Sequence, residues 1–226
     1  MRICSATIKF ILIIQCILSL SFAQHPGDEM VTEGVDAFFN YEFEKSIEVL
    51  SKAREEYPNH PVVHVVWAAA WYHYDQSMFS ADRVYIKFEK RINDIELLYD
   101  SLVTAFPDNS EYLLYQGTSQ SLKARIYLGQ KKYLSTFYAA YQGFRAIQKS
   151  SQGSNTIKDV YLPLGVIEWY AGLKNPLIKI AARGMGINPS REEGIKKMEV
   201  AANESSWAWI EAMSILAITY QFFDLN

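Results

Sequence analysis

The chain has 226 residues, 50% of them apolar and 14% aromatic, with 22 basic against 25 acidic side chains. That composition suits one continuous core or a stack of repeats, and it excludes disordered, collagenous and low-complexity classes. The longest apolar stretch, residues 10–22, has 13 residues where a membrane-spanning helix needs about 20, so a polytopic membrane protein is excluded too.

The N-terminus reads as a secretory signal. Arg2 and Lys9 are its positive region, residues 10–20 its apolar region, and Ser21-Phe22-Ala23 a small-x-small cleavage site, so the mature chain is expected to begin at Gln24. The alternative reading of this segment is an uncleaved anchor. Cys4 and Cys16 both lie in it, which leaves the mature domain without disulfides, thiolate metal sites or a cysteine nucleophile. Removing Arg2 and Lys9 leaves 20 basic against 25 acidic residues with no long basic run. Nucleic acid is therefore not expected as a partner, because phosphate neutralisation needs clustered Lys and Arg. The pair Lys131-Lys132 reads as a solvated helix face.

From Glu29 onward apolar residues recur at helical spacing, and the fold is expected to be all-α. Breaks at residues 40–41, 58–61, 107–110, 129–130, 150–155 and 175–189 divide the chain into about nine helices arranged as antiparallel hairpins. Ser190 followed by Glu193 is a capping box, Ser110 can cap the helix it opens, and Pro61 fits a first helical turn.

The hairpins repeat. Gly34 is followed by Ser46 twelve residues on, then Leu50, Ala53 and Pro58 at steps of four, three and five. The same steps join Ile95, Tyr99, Leu102 and Pro107, then Ala140, Phe144, Ile147 and Gln152, then Gly194, Met198, Ala201 and Ser206. Gly117 and Gly165 stand where the first helices want a small residue, and Ala68 serves in the second unit. This pattern resembles the tetratricopeptide repeat, in which small residues let two helices approach and proline ends the unit. The resemblance implies a right-handed α-solenoid of helix hairpins, with units at 27–60, 61–109, 110–155 and 156–206 and an incomplete fifth at 207–226. The unit ends lie 49, 45 and 54 residues apart, against the standard 34. The extra residues are expected in long first helices and connecting segments such as 75–91 and 175–189. The stretch from Tyr161-Leu162-Pro163-Leu164-Gly165 through Gly184-Met185-Gly186 to Met198-Glu199-Val200-Ala201-Ala202 is similar to divergent repeats of the inclusion-body-clearance family and its exported bacterial relatives. That likeness implies a scaffold-type repeat protein and points to no particular activity.

No nucleophile elbow, phosphate loop or zinc helix motif is present. His60 and His64 are four apart, with His73 farther on, but no carboxylate completes a ligand set at helical spacing, so no metal or other cofactor is expected. Gly184-Met185-Gly186 reads as a loop. First-helix faces carry Phe38, Phe39, Tyr72, His73, Trp169 and Tyr170, which would line a concave groove for a peptide segment or an apolar small ligand; the competing reading buries these rings in the core. Function is expected to be that of a non-enzymatic exported scaffold holding another protein at the cell envelope or in the periplasm. The alternative is a ligand-binding accessory of a transport system. The last helix, with Trp207, Trp209, Ile210, Met213, Leu216, Ile218, Tyr220, Phe222 and Phe223, is apolar on nearly all sides and is expected to continue into further repeats or to mediate a homodimer.

Overall fold

The computed structural model describes residues 25–153, 157–173 and 176–223, so the expected signal segment lies outside the described residues. Among those residues the regular elements are all helical. They are α1 (Asp28–Phe39), α2 (Phe43–Glu56), α3 (Val63–Met78), α4 (Ala81–Ala105), α5 (Ser110–Gly129), α6 (Tyr133–Ser150), a 3-10 turn (Lys158–Val160), α7 (Tyr161–Leu173), α8 (Pro176–Gly184), α9 (Arg191–Glu204) and α10 (Trp209–Phe223). They form two compact units, Met1–Ala70 and Trp71–Asn226, whose boundary falls inside α3.

In the first unit α1 and α2 cross at Gly34. A Cβ there would lie 2.5 Å from Leu50 Cδ2, and Ser46 Oγ donates to the Gly34 carbonyl at 2.8 Å. Val31, Leu50 and Ala53 are fully buried around this crossing. Glycine is needed because two helices in van der Waals contact leave no room for a side chain at that point.

The second unit repeats the device. A Cβ on Gly117 would meet the Gly143 carbonyl oxygen and Ile147 Cγ1 at 2.7 Å, and one on Gly165 the Gly194 carbonyl oxygen at 2.6 Å. Ladders of polar contacts fix the antiparallel sense of neighbouring helices. Gln130 Nε2 donates to Glu89, Lys123 Nζ to Glu96 and Gln116 Nε2 to Asp100, so α5 ascends as α4 descends. Lys197 Nζ meets both carboxylate oxygens of Glu168 at 2.5 Å and joins α9 to α7, which run antiparallel because Gly172 lies against Arg191 and Gly165 against Met198. The core of this end of the unit gathers Leu162, Trp169, Met198, Ala201, Ala212 and Leu216. Buried Asp75, from the second half of α3, accepts from Lys87 Nζ and Arg91 Nη1, each at 2.6 Å, so its charge is doubly compensated.

One turn occurs twice. After α1 the amides of Asn40, Tyr41 and Glu42 donate to Asp36, Phe38 and Ala37; after α5 those of Gln130, Lys131 and Lys132 donate to Ile126, Leu128 and Tyr127. The second residue past each helix's end, Tyr41 or Lys131, takes a left-handed φ of 63° or 60°, the conformation that turns a chain back on itself after a helix. Gly34 precedes Tyr41 by seven residues and Ser46 follows it by five, whereas Gly117 precedes Lys131 by fourteen and Gly143 follows it by twelve. The α5–α6 hairpin is thus the α1–α2 hairpin lengthened by seven residues, about two turns, on each side of its tip.

Several expectations are corrected. Residues 175–189 hold a helix, α8, as well as a turn with Gly186 at φ 81°. The length added after α3 goes into α4, a second helix of 25 residues, and residues 75–91 are mostly helical. Ala140 is exposed, and the buried set that meets α5 is Gly143, Ile147 and Ser150, three residues later than the apolar spacing suggests. Asn109, and not Ser110, caps α5: its Oδ1 accepts from the amides of Glu111 and Tyr112 at 2.9 and 3.0 Å. Ser190 caps α9, accepting from the Glu193 amide at 3.2 Å, but the expected box is not closed: the Ser190 amide donates to the Asn188 carbonyl at 2.9 Å, and Glu193 Oε1 accepts from Lys196.

Candidate functional site

In the second unit α4, α5 and α6 border an open cleft of about 420 Å³. Helical spacing builds it. Leu113, Gln116 and Gln120 come from successive turns of α5, Gln142, Arg145 and Lys149 from successive turns of α6, and Val103 from α4, while Ala146, Gln148 and Gln152 complete the lining. Five of the ten lining residues are glutamines, whose carboxamides can each donate and accept. Most are already held. Gln116 Nε2 donates to Asp100 Oδ1 at 2.7 Å, Gln142 Nε2 to the Tyr138 hydroxyl at 2.7 Å, Arg145 Nη1 to Gln148 Oε1 at 2.9 Å, and Gln148 Nε2 to the Gly186 carbonyl at 3.2 Å. Gln120 Oε1 is buried and has no hydrogen-bond partner among the described residues. A ligand donor reaching it would satisfy a group that otherwise carries a desolvation cost. With Arg145 and Lys149 at one side, the cleft offers positive charge and amide pairing together.

A second polar cluster joins α3, α5 and α10. The Arg125 guanidinium lies 5.8 Å from the centre of the Tyr72 ring. His73 on α3 has its pKa lowered, first by burial and then by the Arg125 charge. Glu211 on α10 touches water but is crowded by protein, which raises its carboxyl pKa while Arg125 pulls it down. Burial raises the Tyr115 phenol well above its usual range, and the carboxylate of Asp159 adds to this.

The six aromatic-face residues expected from the sequence separate. Phe38 and Phe39 are half-buried in the first unit, their rings 5.1 Å apart. Tyr72 is buried against Phe88, with ring centres 4.6 Å apart, so its ring belongs to the α3–α4 core; His73 beside it is exposed. Trp169 is 3% exposed and sits in the core, whereas Tyr170 is 54% exposed and packs edge-on to it at 5.0 Å. The reading that buries the rings therefore describes Tyr72 and Trp169. The α4–α6 cleft escaped the sequence reading because glutamines on a helix face carry no motif.

His60 and His64 are buried, each in hydrogen bonds within the first unit. Among the described residues no group of three His, Cys, Asp or Glu side chains is disposed to hold a metal ion, and no helix is long and apolar enough to cross a membrane. No protein-family model, curated protein or solved structure matches this chain.

Proposed function

We propose that the protein is a non-enzymatic scaffold, exported to the cell envelope, that holds an extended segment of another protein. Its hairpins are read as units of a right-handed solenoid of the tetratricopeptide type. The recurring glycine crossings of α1–α2, α5–α6 and α7–α9 and the twice-used turn support that reading.

The observation that carries the binding role is the open α4–α6 cleft with its glutamines, Arg145, Lys149 and the unsatisfied Gln120 Oε1. An extended peptide presents alternating amide donors and carbonyl acceptors, which glutamine carboxamides can meet in either sense. The two basic residues favour a segment with acidic side chains. Peptide-display selection against the full chain, counter-selected with R145E/K149E and Q120A/Q142A, tests it. Acidic extended peptides that bind at least tenfold more weakly to both variants are expected; a selection yielding no peptide sensitive to either pair overturns the reading. Export is tested separately: L12D/I13D should leave the precursor in the cytoplasm, and unchanged envelope localisation would contradict it.

A further inference from the structure

The lengthened tip of the α5–α6 hairpin carries apolar side chains that the fold leaves uncovered. On α6, Leu134 is 89% exposed, and Tyr133, Phe137, Tyr138 and Tyr141 are exposed with it. At 100° per residue these five fall on one side of the helix, opposite the buried row of Ala139, Gly143 and Ile147. Most of them belong to the two turns that this hairpin has beyond the α1–α2 hairpin, so they are additions that the crossing at Gly117 does not need.

Along this stretch of the sequence the charge has one sign. Residues 112–158 contain seven basic side chains and no acidic one, in a chain whose net charge is −3. Lys131 and Lys132 stand at the start of the exposed face, and Arg145 and Lys149 follow it along α6, all four exposed. Of the nearby carboxylates on α4, Glu96 is paired with Lys123, whereas Glu89 accepts from the neutral Gln130 carboxamide at 3.3 Å and keeps its charge. Basic residues therefore bracket an aromatic and aliphatic strip along one helix.

We infer that this face of α6 docks on an anionic lipid surface, with Leu134 and Phe137 entering the acyl boundary, the tyrosines at headgroup depth and the four basic residues on lipid phosphates. A helix with an apolar strip between cationic ends lies in a bilayer interface through buried apolar area plus attraction to anionic lipid. The five exposed side chains lie along one side of the helix and none of them lines the cleft, which suits a soft planar surface. This goes beyond the scaffold reading; it shares Arg145 and Lys149 with the cleft, so its test turns on Lys131, Lys132, Leu134 and Phe137, none of which lines the cleft.

The test uses the full chain carrying C4S and C16S, with S135C labelled by a polarity-sensitive dye, because Ser135 is exposed beside the strip. Vesicles of phosphatidylcholine alone are compared with vesicles containing 30% phosphatidylglycerol. The expected result is a blue shift with the anionic vesicles, lost in 0.5 M salt and weakened at least tenfold in both K131E/K132E and L134S/F137S, each with unchanged helicity and melting. Co-sedimentation without any dye shift would assign membrane binding to residues 10–22 and overturn the inference. A shift that appears without vesicles as protein concentration rises, and is lost in L134S/F137S, would assign the face to a second copy. A shift given by polyglutamate and not by vesicles would assign it to an acidic protein partner. Either result overturns the lipid assignment.

Discussion

Arg54 Nε donates to His64 Nδ1 at 2.9 Å. Because a guanidinium can only donate, that nitrogen must be unprotonated, and the proton of the neutral ring sits on Nε2, which donates to the Pro58 carbonyl at 2.8 Å. The guanidinium itself lies 3.7 Å from the centre of the Trp67 ring, and Trp67 Nε1 donates to Ser51 at 2.9 Å. One imidazole thus ties the end of α2, the turn after it and the start of α3. It can do so only while neutral.

This makes the first unit sensitive to acid. Burial is the main cause that lowers the His64 pKa from 6.5 to about 4, and the charge of Arg54 adds to it although the Pro58 carbonyl opposes it. Between those values the unfolded chain binds more protons than the folded one. The stabilisation is complete above pH 6.5 and is lost as pH falls to about 4, amounting to about 3 kcal/mol in all. Urea unfolding across this range should show that slope, and H64Q should flatten it; an unchanged slope in the variant would remove His64 as the cause.

The glycine crossings predict opposite outcomes for one chemical change. Gly117→Ala drives a methyl into the Gly143 carbonyl and the Ile147 side chain and backbone. Backbone cannot give way as a flexible side chain does, so α5 and α6 must part, at a cost of about 2 kcal/mol. Gly184→Ala at the end of α8 meets nothing within 4 Å and should be neutral or stabilising by about 0.5 kcal/mol through helix propensity. Thermal melts of the two variants decide it, and equal melting temperatures would refute the crossing argument.

Asp159 should govern the last helix. One carboxylate oxygen accepts from the amides of Trp207 and Ala208 at 2.8 and 2.9 Å, and the other from Ser206 at 3.1 Å. Three charge-assisted bonds to amides that open α10 anchor a segment nearly 50 residues away in the chain. Asp159→Ala should cost about 2–3 kcal/mol and raise hydrogen exchange in α10 well before the rest of the second unit. Uniform exchange across the unit would mean that the carboxylate supports the whole fold.

Local spacing made some of this legible and left the rest hidden. Gly34, Ser46, Leu50 and Ala53 lie at their expected contacts because those contacts follow directly from helical period and side-chain size. The face of α6 that meets α5 differs by three residues from the expected one because Ala140, Phe144 and Ile147 keep the same steps as Gly143, Ile147 and Ser150, and only packing against Gly117 selects the second set. Helix α8 was hidden by the Asn175-Pro176 break and its nine-residue length. The Asp159 anchor and the α4–α6 cleft depend on residues brought together by tertiary packing, where no sequence period reports them.

Trp169 and Tyr170 offer a contrast between adjacent rings. Trp169 packs in the cluster with Leu162, Met198 and Leu216, and removing a core indole typically costs about 3–5 kcal/mol. Trp169→Ala should therefore lower stability sharply, while Tyr170→Ala should change it by about 0.5 kcal/mol, since its ring is mostly in solvent. Denaturant midpoints measure both. A mild Trp169→Ala would return that ring to the list of binding anchors.

The final helix should be adhesive. Ala212, Leu216 and Thr219 form its buried row, and at 100° per residue Trp209, Met213 and Tyr220 flank that row on one side and Ile218 and Phe222 on the other. All five flanking side chains are exposed, and the Tyr220 hydroxyl donates to Glu199 Oε1 at 2.7 Å. An exposed apolar surface of this extent favours a partner, because water leaves it at a gain of about 25 cal/mol per Å² covered. The expected partner is a second copy of the chain through the same helix. Light scattering should show concentration-dependent dimers for the native chain and monomers for M213E/I218E, with the helical content of the two alike. A native chain that stays monomeric at high concentration, with α10 well protected from hydrogen exchange, would show that this face needs no cover.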